Sequence, residues 1–600
     1  GALTITQASE RLVIDWLSFS IGEENAVYFD QAHGSNAVAL NRVVGGDLSE
    51  IYGLLRADGQ VFLINPQGIV FGESAQVDVG GLVASSLALS DEDFLAGDYR
   101  FGSSNNINGE VAAGPVVNLG RLMATPGEVG GGYIVLLAQE VRNDGTISAH
   151  LGTVALGAGR AATLKVQGGG LLRFAVDQET AGAYLANRGE ILADGGVVWL
   201  EARAREALLG TVLNQEGSVR ARGVESRDGR IVLVGGDSGV VEVSGTLDAS
   251  SPGETGGRGG SIDVTGERVA LWDGAMLDAR GSSGGGRVRI GGGDQGQEAD
   301  IANAQSVYVA GGARIDASAT GRGDGGTVIV WSDGMTRFDG EVVARGGVAG
   351  GDGGFVETSG GVLAVSGRVD VSAPAGSSGA WLLDPYDITI GEGAANSGVD
   401  QEGDVWTSAG EDAVVLVSSL LEALEEGSQV TVQTGEGGSG GGNITVAAPI
   451  SWNGTGTLVL QAHGDIHINE AITAQTGGLT VSPGGTATAT AAIDVGRFTL
   501  TSGTWHQVGS DVPAFTARDF RIGDGATFVR AKGGNGEEGS PYQIFDVYGL
   551  QGMGSAGMLG KHYKLVDDID ASVTRGWHGG AGFVPIGNEP SPFTGVFEGN

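Results

Sequence analysis

Four aspartates are the residues of this chain best placed to do chemistry. Each directly follows an aliphatic residue in a recurring phrase, and they are Asp248, Asp278, Asp316 and Asp370. Stacked repeats would align them into an acidic ladder, and carboxylate groups in close array serve calcium binding or glycoside hydrolysis. A β-helical carbohydrate-active enzyme is therefore one alternative. A single aspartate per turn more simply bonds its own backbone, and we predict that role.

The other candidate chemistries are weaker. His463 and His467 are four residues apart on an apparent strand, but no third ligand lies near them in the sequence. The chain has no P-loop, H-E-x-x-H or calcium-binding nonapeptide pattern. We predict no catalytic residue, metal or cofactor. The tripeptide Arg322-Gly323-Asp324 matches a cell-attachment motif, but we favour the alternative that it is a glycine turn that follows an arginine.

A recurring phrase indicates which elements would position these residues. It consists of a glycine, one or two variable residues, an aliphatic residue, one more residue and usually an alanine. Its glycines are Gly120, Gly145, Gly189, Gly217, Gly245, Gly274, Gly312, Gly340 and Gly367, in steps of 25, 44, 28, 28, 29, 38, 28 and 27 residues. Such a period indicates stacked units, each too small to bury its own apolar face. We expect an extra degenerate coil at the step of 44 and a long turn at the step of 38.

The composition supports an all-β solenoid. Glycine is 113 of 600 residues, but only 13 prolines and no G-X-Y triplet occur, which excludes collagen. The 41% hydrophobic content can support a packed core, and short Val/Ile/Leu/Thr runs between glycines predict strands. Glycine is expected to supply positive φ where the coil bends. About 20 coils spaced by roughly 4.8 Å would make a rod of about 100 Å.

Charge and cysteine content narrow the class of partner. The formal net charge of −38 at pH 7 argues against nucleic acid and anionic membranes, which an acidic surface repels. The absence of cysteine is typical of a chain that crosses a membrane unfolded. No basic, apolar leader opens the chain, and it ends at Asn600 apparently within a repeat, so we interpret it as a trimmed fragment.

The repeat has boundaries. Residues 1–115 lack the phrase and are expected to form a cap and first coils, and residues 116–380 form the regular β-helix. A linker at 381–427 would contain the one convincing helix, over 411–426, with leading acids at its N-terminus and Gly427 as its stop. A second solenoid with a 22-residue spacing follows at 428–540, and another repeat type begins at 541–600.

The first block resembles a known family. The residues that carry the resemblance are Trp16-x-x-Phe19-x-Ile21-Gly22, Asn41-Arg42-Val43 and, above all, Asn65-Pro66-Gln67-Gly68-Ile69. These are similar to the secretion domain of two-partner-secreted proteins, the filamentous haemagglutinin group, in which Gln67 is usually a second asparagine. The resemblance implies a right-handed parallel β-helix that passes through the periplasm and is recognised by an outer-membrane transporter. It also implies a chain that folds outside the cell and displays an adhesin or a toxin.

The two lines of reasoning converge on a secreted, non-enzymatic surface adhesin. Its partners would be the transporter and an unidentified receptor or glycan on a host or neighbouring cell, without nucleic acid. The stalk of a contact-dependent toxin is a further alternative. The eight secretion-motif residues are Asn41, Arg42, Val43, Asn65, Pro66, Gln67, Gly68 and Ile69, and we expect their immediate role to be stabilisation of a turn.

Overall fold

A computed structural model describes residues 1–102, 113–125, 131–167, 169–205, 210–224, 227–253, 257–392, 399–402, 405–408, 413–435 and 441–599. The chain divides into two compact units. Unit 1 comprises Gly1–Asp333 with Gly340–Gly351, and unit 2 comprises Gly334–Asp339 with Asp352–Asn600. No helix in the described part of the chain is long and apolar enough to cross a membrane.

Unit 1 is a parallel β-helix whose coils contribute strands to three parallel rows. Strands are numbered in chain order. Row 1 holds β1 Ala2–Gln7, β3 Ala26–Gln31, β6 Leu54–Ala57, β9 Gln76–Val79, β13 Arg121–Ala124, β16 Thr146–Ser148, β21 Glu190–Leu192, β24 Ser218–Arg220, β27 Thr246–Asp248, β30 Met276–Asp278, β33 Arg314–Asp316 and β35 Glu341–Val343.

Rows 2 and 3 complete each coil. Row 2 holds β2 Arg11–Trp16, β4 Val38–Val43, β7 Gln60–Ile64, β10 Gly81–Ser85, β14 Tyr133–Ala138, β17 Thr153–Ala158, β22 Val197–Ala202, β25 Arg230–Val234, β28 Ser261–Thr265, β31 Arg287–Ile290 and the start of β34 Thr327–Phe338. Row 3 holds β5 Ser49–Ile51, β8 Ile69–Phe71, β12 Val116–Asn118, β15 Glu140–Asn143, β20 Tyr184–Asn187, β23 Thr211–Gln215, β26 Val240–Val243, β29 Arg268–Leu271 and β32 Ser306–Val309.

The aliphatic residues of the recurring phrase stack in register along row 1. Each pairs with its counterpart in the next coil and is fully buried, and the set is Leu122, Ile147, Ile191, Val219, Leu247, Leu277, Ile315 and Val342. The predicted stack of coils is confirmed. The coils extend back to β1, because Val27, Leu55 and Val77 continue the same buried stack without the glycine phrase.

The glycines of the phrase are needed for close approach rather than for positive φ. A Cβ on Gly189 would lie 2.0 Å from the carbonyl oxygen of Gly145, and one on Gly217 would lie 2.1 Å from that of Gly189. Neither glycine has a left-handed φ, so the expected reason was wrong at these corners, although Gly274 does have a φ of 92°. The coils stack so tightly at this corner that no side chain fits.

A buried amide ladder lies beside these glycines. The Asn118 Nδ2 donates to Asn143 Oδ1 at 2.7 Å, and Asn143 Nδ2 donates to Asn187 Oδ1 at the same distance. Asn187 Nδ2 then donates to Gln215 Oε1 at 2.9 Å, and all four side chains are fully buried. Each of these side chains is hydrogen-bonded to the corresponding side chain in the next coil. Buried polar groups are normally found with such a partner.

The two long steps have different causes. β16 pairs directly with β21, so the predicted extra coil at the step of 44 is absent. The added residues form an antiparallel hairpin, β18 Ala161–Gln167 with β19 Gly170–Gln178. Their strand-like alternation is the same in a coil and in a hairpin, which explains the error. The step of 38 is a long turn, as predicted, and contains a short 3₁₀ segment, Asp294–Gly296.

The hairpin belongs to a cover over row 2. β18 also pairs with β11 Tyr99–Phe101, and the short helix α1 Asp91–Ala96 precedes β11. The Phe62 ring on row 2 meets Tyr99 with centroids 4.9 Å apart and Phe94 at 5.9 Å. Because side chains pack on both sides of this sheet, every residue of β10 and β14 is buried. A further 3₁₀ segment spans Gly34–Asn36.

A buried glutamate ties the hairpin to row 2. The Val176 N–H donates to Glu201 Oε2 at 3.2 Å, and Arg203 Nε donates to Glu201 Oε1 at 2.8 Å. Burial raises the pKa of Glu201, and these donors oppose that shift.

Unit 2 contains further parallel coils. One row holds β36 Phe355–Val365, β38 Ala380–Asp384, β43 Gln429–Gln433, β46 Thr457–Ala462, β48 Ile472–Pro483, β50 Ile493–Leu500 and β52 Phe515–Ile522. A second holds β39 Ile388–Gly391, β42 Ala413–Leu416, β44 Ile444–Val446, β47 Ile466–Ile468, β49 Thr486–Ala489, β51 Thr504–Val508 and β53 Thr527–Ala531.

Shorter elements complete unit 2. They are β37 Arg368–Asp370, β45 Ile450–Ser451, the antiparallel pair β40 Val399–Glu402 and β41 Val405–Ser408, the parallel trio β54 Tyr542–Ile544, β55 His562–Leu565 and β56 Val596–Glu598, the helices α2 Val417–Glu425 and α3 Val547–Gly552, and the 3₁₀ segment Ser572–Gly580. The predicted 22-residue coil is confirmed, because Ile444 pairs with Ile466 and Ile450 with Ile472.

Helix α2 begins later than predicted. Residues 413–416 form β42 and pair with β39, since Ala413 and Val415 alternate into the core. Residues 411 and 412, the leading acids, lie outside the described residues, and the first turn of α2 contains no acid. Gly427, with a φ of 86°, follows the helix as its predicted stop. The short helices α1 and α3 are additional to the one predicted.

The predicted linker at 381–427 lies within unit 2. Its first residues belong to β38, which pairs with both β36 and β43, and the division between the units falls earlier, at 334–352. The indole of Trp381 is fully buried and donates to Thr358 Oγ1 at 2.9 Å.

We predict that Gly217→Ala destabilises unit 1. Its methyl group would overlap the Gly189 carbonyl oxygen, and overpacking of this kind costs about 1–3 kcal/mol in the free energy of unfolding. Thermal denaturation should show a lower Tm. Gly46→Ala is the matched control, because a Cβ at Gly46 has no atom within 4 Å. Equal Tm values for the two variants would contradict the close-approach explanation.

We predict that Asp384→Asn stabilises unit 2 at neutral pH. Burial raises the pKa of Asp384 from 3.8 to about 6, against a 3.2 Å hydrogen bond from Gln433 Nε2. The folded state therefore binds more protons than the unfolded state between these values, and stability is lost as the pH rises through this window. The Tm gain of the variant should be present at pH 7.5 and vanish near pH 4. The exposed Asp511→Asn removes the same charge and should show no such difference.

Candidate functional site

The Asn65 side chain organises the turn between β7 and β8. Its Oδ1 accepts the Gln67 N–H at 3.0 Å, which closes an Asx turn. Its Nδ2 donates to the Asp47 carbonyl oxygen and to Ser49 Oγ, both at 2.9 Å, in the preceding coil. Asn65 is fully buried, so its amide holds two stacked corners together.

The residues that follow fix this corner further. Gly68 has a φ of 109°, and a Cβ there would lie 2.7 Å from the Pro115 carbonyl oxygen. The Pro66 carbonyl accepts the Gly114 N–H at 2.8 Å, and the Ile69 N–H donates to the Pro115 carbonyl at 2.9 Å. The Asn65-to-Ile69 segment is therefore stacked between coils on both sides.

The second motif segment lies one coil earlier, on β4. Asn41 is fully buried; its Oδ1 accepts the Trp16 Nε1–H at 3.0 Å, and its Nδ2 donates to the Phe62 carbonyl at 3.4 Å. Arg42 pairs with Asp15 at 3.2 Å and with Asp91 in the first turn of α1. Val43 is buried in the core. The two segments lie in neighbouring coils but make separate sets of hydrogen bonds.

Few motif residues can touch a partner of the folded chain. Asn41, Val43, Asn65 and Ile69 are buried, whereas Gln67 is exposed. The motif offers no nucleophile and no free acid. Its arrangement can shape a surface, but it cannot carry out a reaction.

Three exposed apolar side chains flank the Asn65 turn, and sequence reasoning did not single them out. Leu17 is 81% exposed, Val44 57% and Leu48 37%. A Cβ on Gly45 would lie 1.9 Å from the Leu17 carbonyl, and one on Gly68 would lie 3.0 Å from Leu48 Cδ1. We call Leu17, Val44 and Leu48 the corner patch. The available signal was the apolar residue directly after Trp16 and after Val43.

The recurring aspartates form the predicted ladder in unit 1. Asp248, Asp278 and Asp316 pair across adjacent coils, and the Oδ1 of each accepts a backbone N–H two residues later at 3.0 Å. Their Oδ2 atoms pair with arginines: Arg222 at 2.7 Å, Arg280 at 2.6 Å and Arg314 at 3.2 Å. In unit 2, Asp370 accepts the Ser372 N–H in the same way. The turn role is confirmed, and these interactions occupy the carboxylates that a catalytic ladder would need.

The Arg322-Gly323-Asp324 tripeptide is also part of a stacked turn. The Gly323 N–H donates to the Gly350 carbonyl at 2.7 Å, and the Asp324 carbonyl accepts the Gly285 N–H at 2.9 Å. A Cβ on Gly323 would meet the Ser283 carbonyl at 2.2 Å. The Arg322 and Asp324 side chains are exposed, but the backbone between them is packed against neighbouring coils.

Neither candidate histidine belongs to a group of metal-binding side chains in the part of the chain that the structure describes. His467 Nδ1 lies 3.3 Å from Thr488 Oγ1. Among the described residues, no three His, Asp or Glu side chains are grouped so that they could hold a metal ion.

Comparisons with known proteins place part of unit 1 in a family of secretion domains. The TPS secretion domain family matches residues 2–249. The heme/hemopexin-binding protein of Haemophilus influenzae is 30% identical over 236 residues, which are 39% of this chain and 25% of that protein. Another heme/hemopexin-binding protein of Haemophilus influenzae is 41% identical over 99 residues, 16% of this chain and 11% of that protein.

A solved structure is also similar to this chain. The crystal structure of the HMW1 secretion domain from Haemophilus influenzae matches with a TM-score of 0.53 at 30% identity, and covers 64% of this chain and 94% of that chain. The chain spans a quarter or less of the length of the two curated relatives named above. The family match contains both motif segments and the corner patch.

Proposed function

Because this chain belongs to the two-partner-secreted proteins and carries their TPS secretion domain in unit 1, we propose that it is a secreted adhesin without enzymatic activity. Proteins with this domain are exported across the outer membrane to the cell surface or the medium. The domain implies an outer-membrane transporter of the two-partner type as partner.

The observation that carries the proposal is the family match over residues 2–249, where the Asn65 corner and the covered row 2 both lie. Two further observations support a binding role. The relatives are named for heme/hemopexin binding rather than for catalysis, and the ladder aspartates are already engaged with turns and arginines. The comparisons favour neither the enzyme nor the toxin-stalk alternative.

The geometry suggests how the motif serves export. Buried asparagines cannot contact a transporter once the chain has folded, so Asn65 acts by holding two corners together. The apolar surface that this arrangement presents is the corner patch. In this proposal the transporter recognises the corner that the motif shapes, and the coils beyond the secretion domain fold outside the cell.

We predict that Asn65→Ala lowers export strongly, by tenfold or more, when the chain with its leader and its transporter are co-expressed. The variant loses the Asx turn and both bonds to the preceding coil. The measurement is the amount of the chain in the culture supernatant relative to that retained in the cells. Gln67→Ala is the matched control, because it keeps the backbone N–H that Asn65 accepts, and it should be exported normally.

A double variant, Leu17→Ser with Val44→Ser, distinguishes the conformation of the Asn65 turn from the exposed apolar surface of the corner patch. It leaves every hydrogen bond of the turn in place. We expect it to reduce export if the transporter contacts the corner patch. Normal supernatant levels of Asn65→Ala would overturn the assigned role of the corner.

We predict that beads coated with the purified chain adhere to host or neighbouring bacterial cells in a saturable manner that free chain inhibits. Arg322→Ala should adhere as well as the parent, because the tripeptide is a stacked turn rather than a projecting loop. Beads coated with heat-denatured chain provide the control. Failure of the native chain to adhere to any cell type would contradict the adhesin proposal.

A further inference from the structure

A cleft of 610 Å³ opens within unit 2, beside the last coils. Its walls are the turn Gly523–Gly525 after β52, residues 554–560 after α3 and residues 584–591. This volume lies within the range of about 300–1,000 Å³ that is typical of small-molecule sites. No residue of the cleft belongs to the secretion domain match.

His578 is presented to the cleft in a fixed conformation. It has a φ of 53°, a conformation that is costly for a residue with a side chain and often marks a functional site. The backbone N–H of His578 donates to Asp519 Oδ1 at 2.8 Å. Its ring Nδ1 lies 3.0 Å from the Gly582 carbonyl oxygen. Since a carbonyl can only accept, Nδ1 carries a proton in this contact, and in the uncharged form of the ring Nε2 is then an acceptor.

Buried contacts hold the wall behind His578. The neighbouring Trp577 is fully buried, with its ring 5.2 Å from Phe520 and 5.6 Å from Tyr548 between centroids. On another wall, the Gln551 amide bonds the Val584 backbone in both directions: Nε2 donates to the carbonyl at 3.0 Å, and Oε1 accepts the N–H at 2.8 Å. The walls are therefore positioned before any ligand arrives, which lowers the entropic cost of binding.

The lining combines hydroxyl-binding groups with apolar surface. The Asp524 carboxylate is exposed, and no hydrogen bond within the described part of the chain engages it. Asn588 also lines the cleft, and its Oδ1 accepts the Ser591 N–H, which leaves Nδ2 as a donor. Val584 and Pro585 contribute exposed apolar surface.

We propose that this cleft binds an uncharged saccharide. Asp524, His578 and Asn588 supply the acceptors and the donor that ring hydroxyls need, while Val584 and Pro585 suit the apolar face of a sugar ring. No lysine or arginine among the residues that the structure describes lines the cleft, and Asp524 disfavours a carboxylate-bearing sugar. The inference deepens the proposed adhesive function by naming a ligand class, and it depends on that function only for its biological purpose.

The test is saturation-transfer NMR and calorimetry on the purified chain with glucose, galactose, mannose, N-acetylglucosamine, lactose and maltose. Galacturonate and N-acetylneuraminate are the charged comparators. At least one neutral sugar should bind, at least tenfold more tightly than either acid. Ser591→Trp, at an exposed position on the rim, should weaken that binding at least tenfold. Ser510→Trp, exposed elsewhere in unit 2, is the matched control and should bind normally.

Asp524→Ala and His578→Asn test the two polar walls separately. Asparagine tolerates the left-handed backbone at 578, so the loop should keep its shape while the ring acceptor is lost. Each variant should bind at least fivefold more weakly with an unchanged Tm. The site is refuted if no neutral sugar binds at 10 mM, or if Ser591→Trp binds as the parent does. Cell adhesion that Ser591→Trp leaves intact would refute this site but not the adhesin proposal.

Discussion

The backbone contact between successive corner glycines is the constraint on which unit 1 depends. At Gly189 and Gly217 the carbonyl oxygen of the preceding coil occupies the space of a Cβ. This approach brings the amide ladder of Asn118, Asn143 and Asn187 within hydrogen-bond distance. It also stacks the aliphatic residues of row 1 in register. A coil that could not approach so closely would leave buried amides without partners, at a cost of about 1–3 kcal/mol for each group.

The same constraint decides where additional residues can go. A coil is paired on both sides, so an insertion cannot enter a row and must leave at a turn. The hairpin of β18 and β19 and the turn around Asp294–Gly296 both leave the helix in this way. In the first case the inserted strands return over row 2, where Phe174 and Trp199 rings lie 6.3 Å apart between centroids. Insertions thus add surfaces and leave the register of the coils unchanged.

Corners also hold most of the residues to which we assign a function. The Asn65 turn and the corner patch occupy the corners of consecutive coils in unit 1. In unit 2 the proposed saccharide cleft is formed by turns and by segments outside the coil strands. A parallel strand row buries one face and offers a regular outer face, whereas turns vary without disturbing the core. The strand rows make the coils rigid, whereas the corners differ from one another in their side-chain chemistry.

The sequence by itself determined the stacked architecture, the 22-residue coils of unit 2, the turn role of the aspartates and the stop of α2 at Gly427. Each of these depends on local chemistry or on a spacing that repeats, and both are visible in one dimension. The tertiary structure decided the partner of β18 and β19, the start of α2 at Val417, the steric reason for Gly189 and Gly217, and the cleft at His578. Alternation fixes which side chains face inward but not which strand lies alongside, and a close approach or a cleft depends on atoms far apart in the chain.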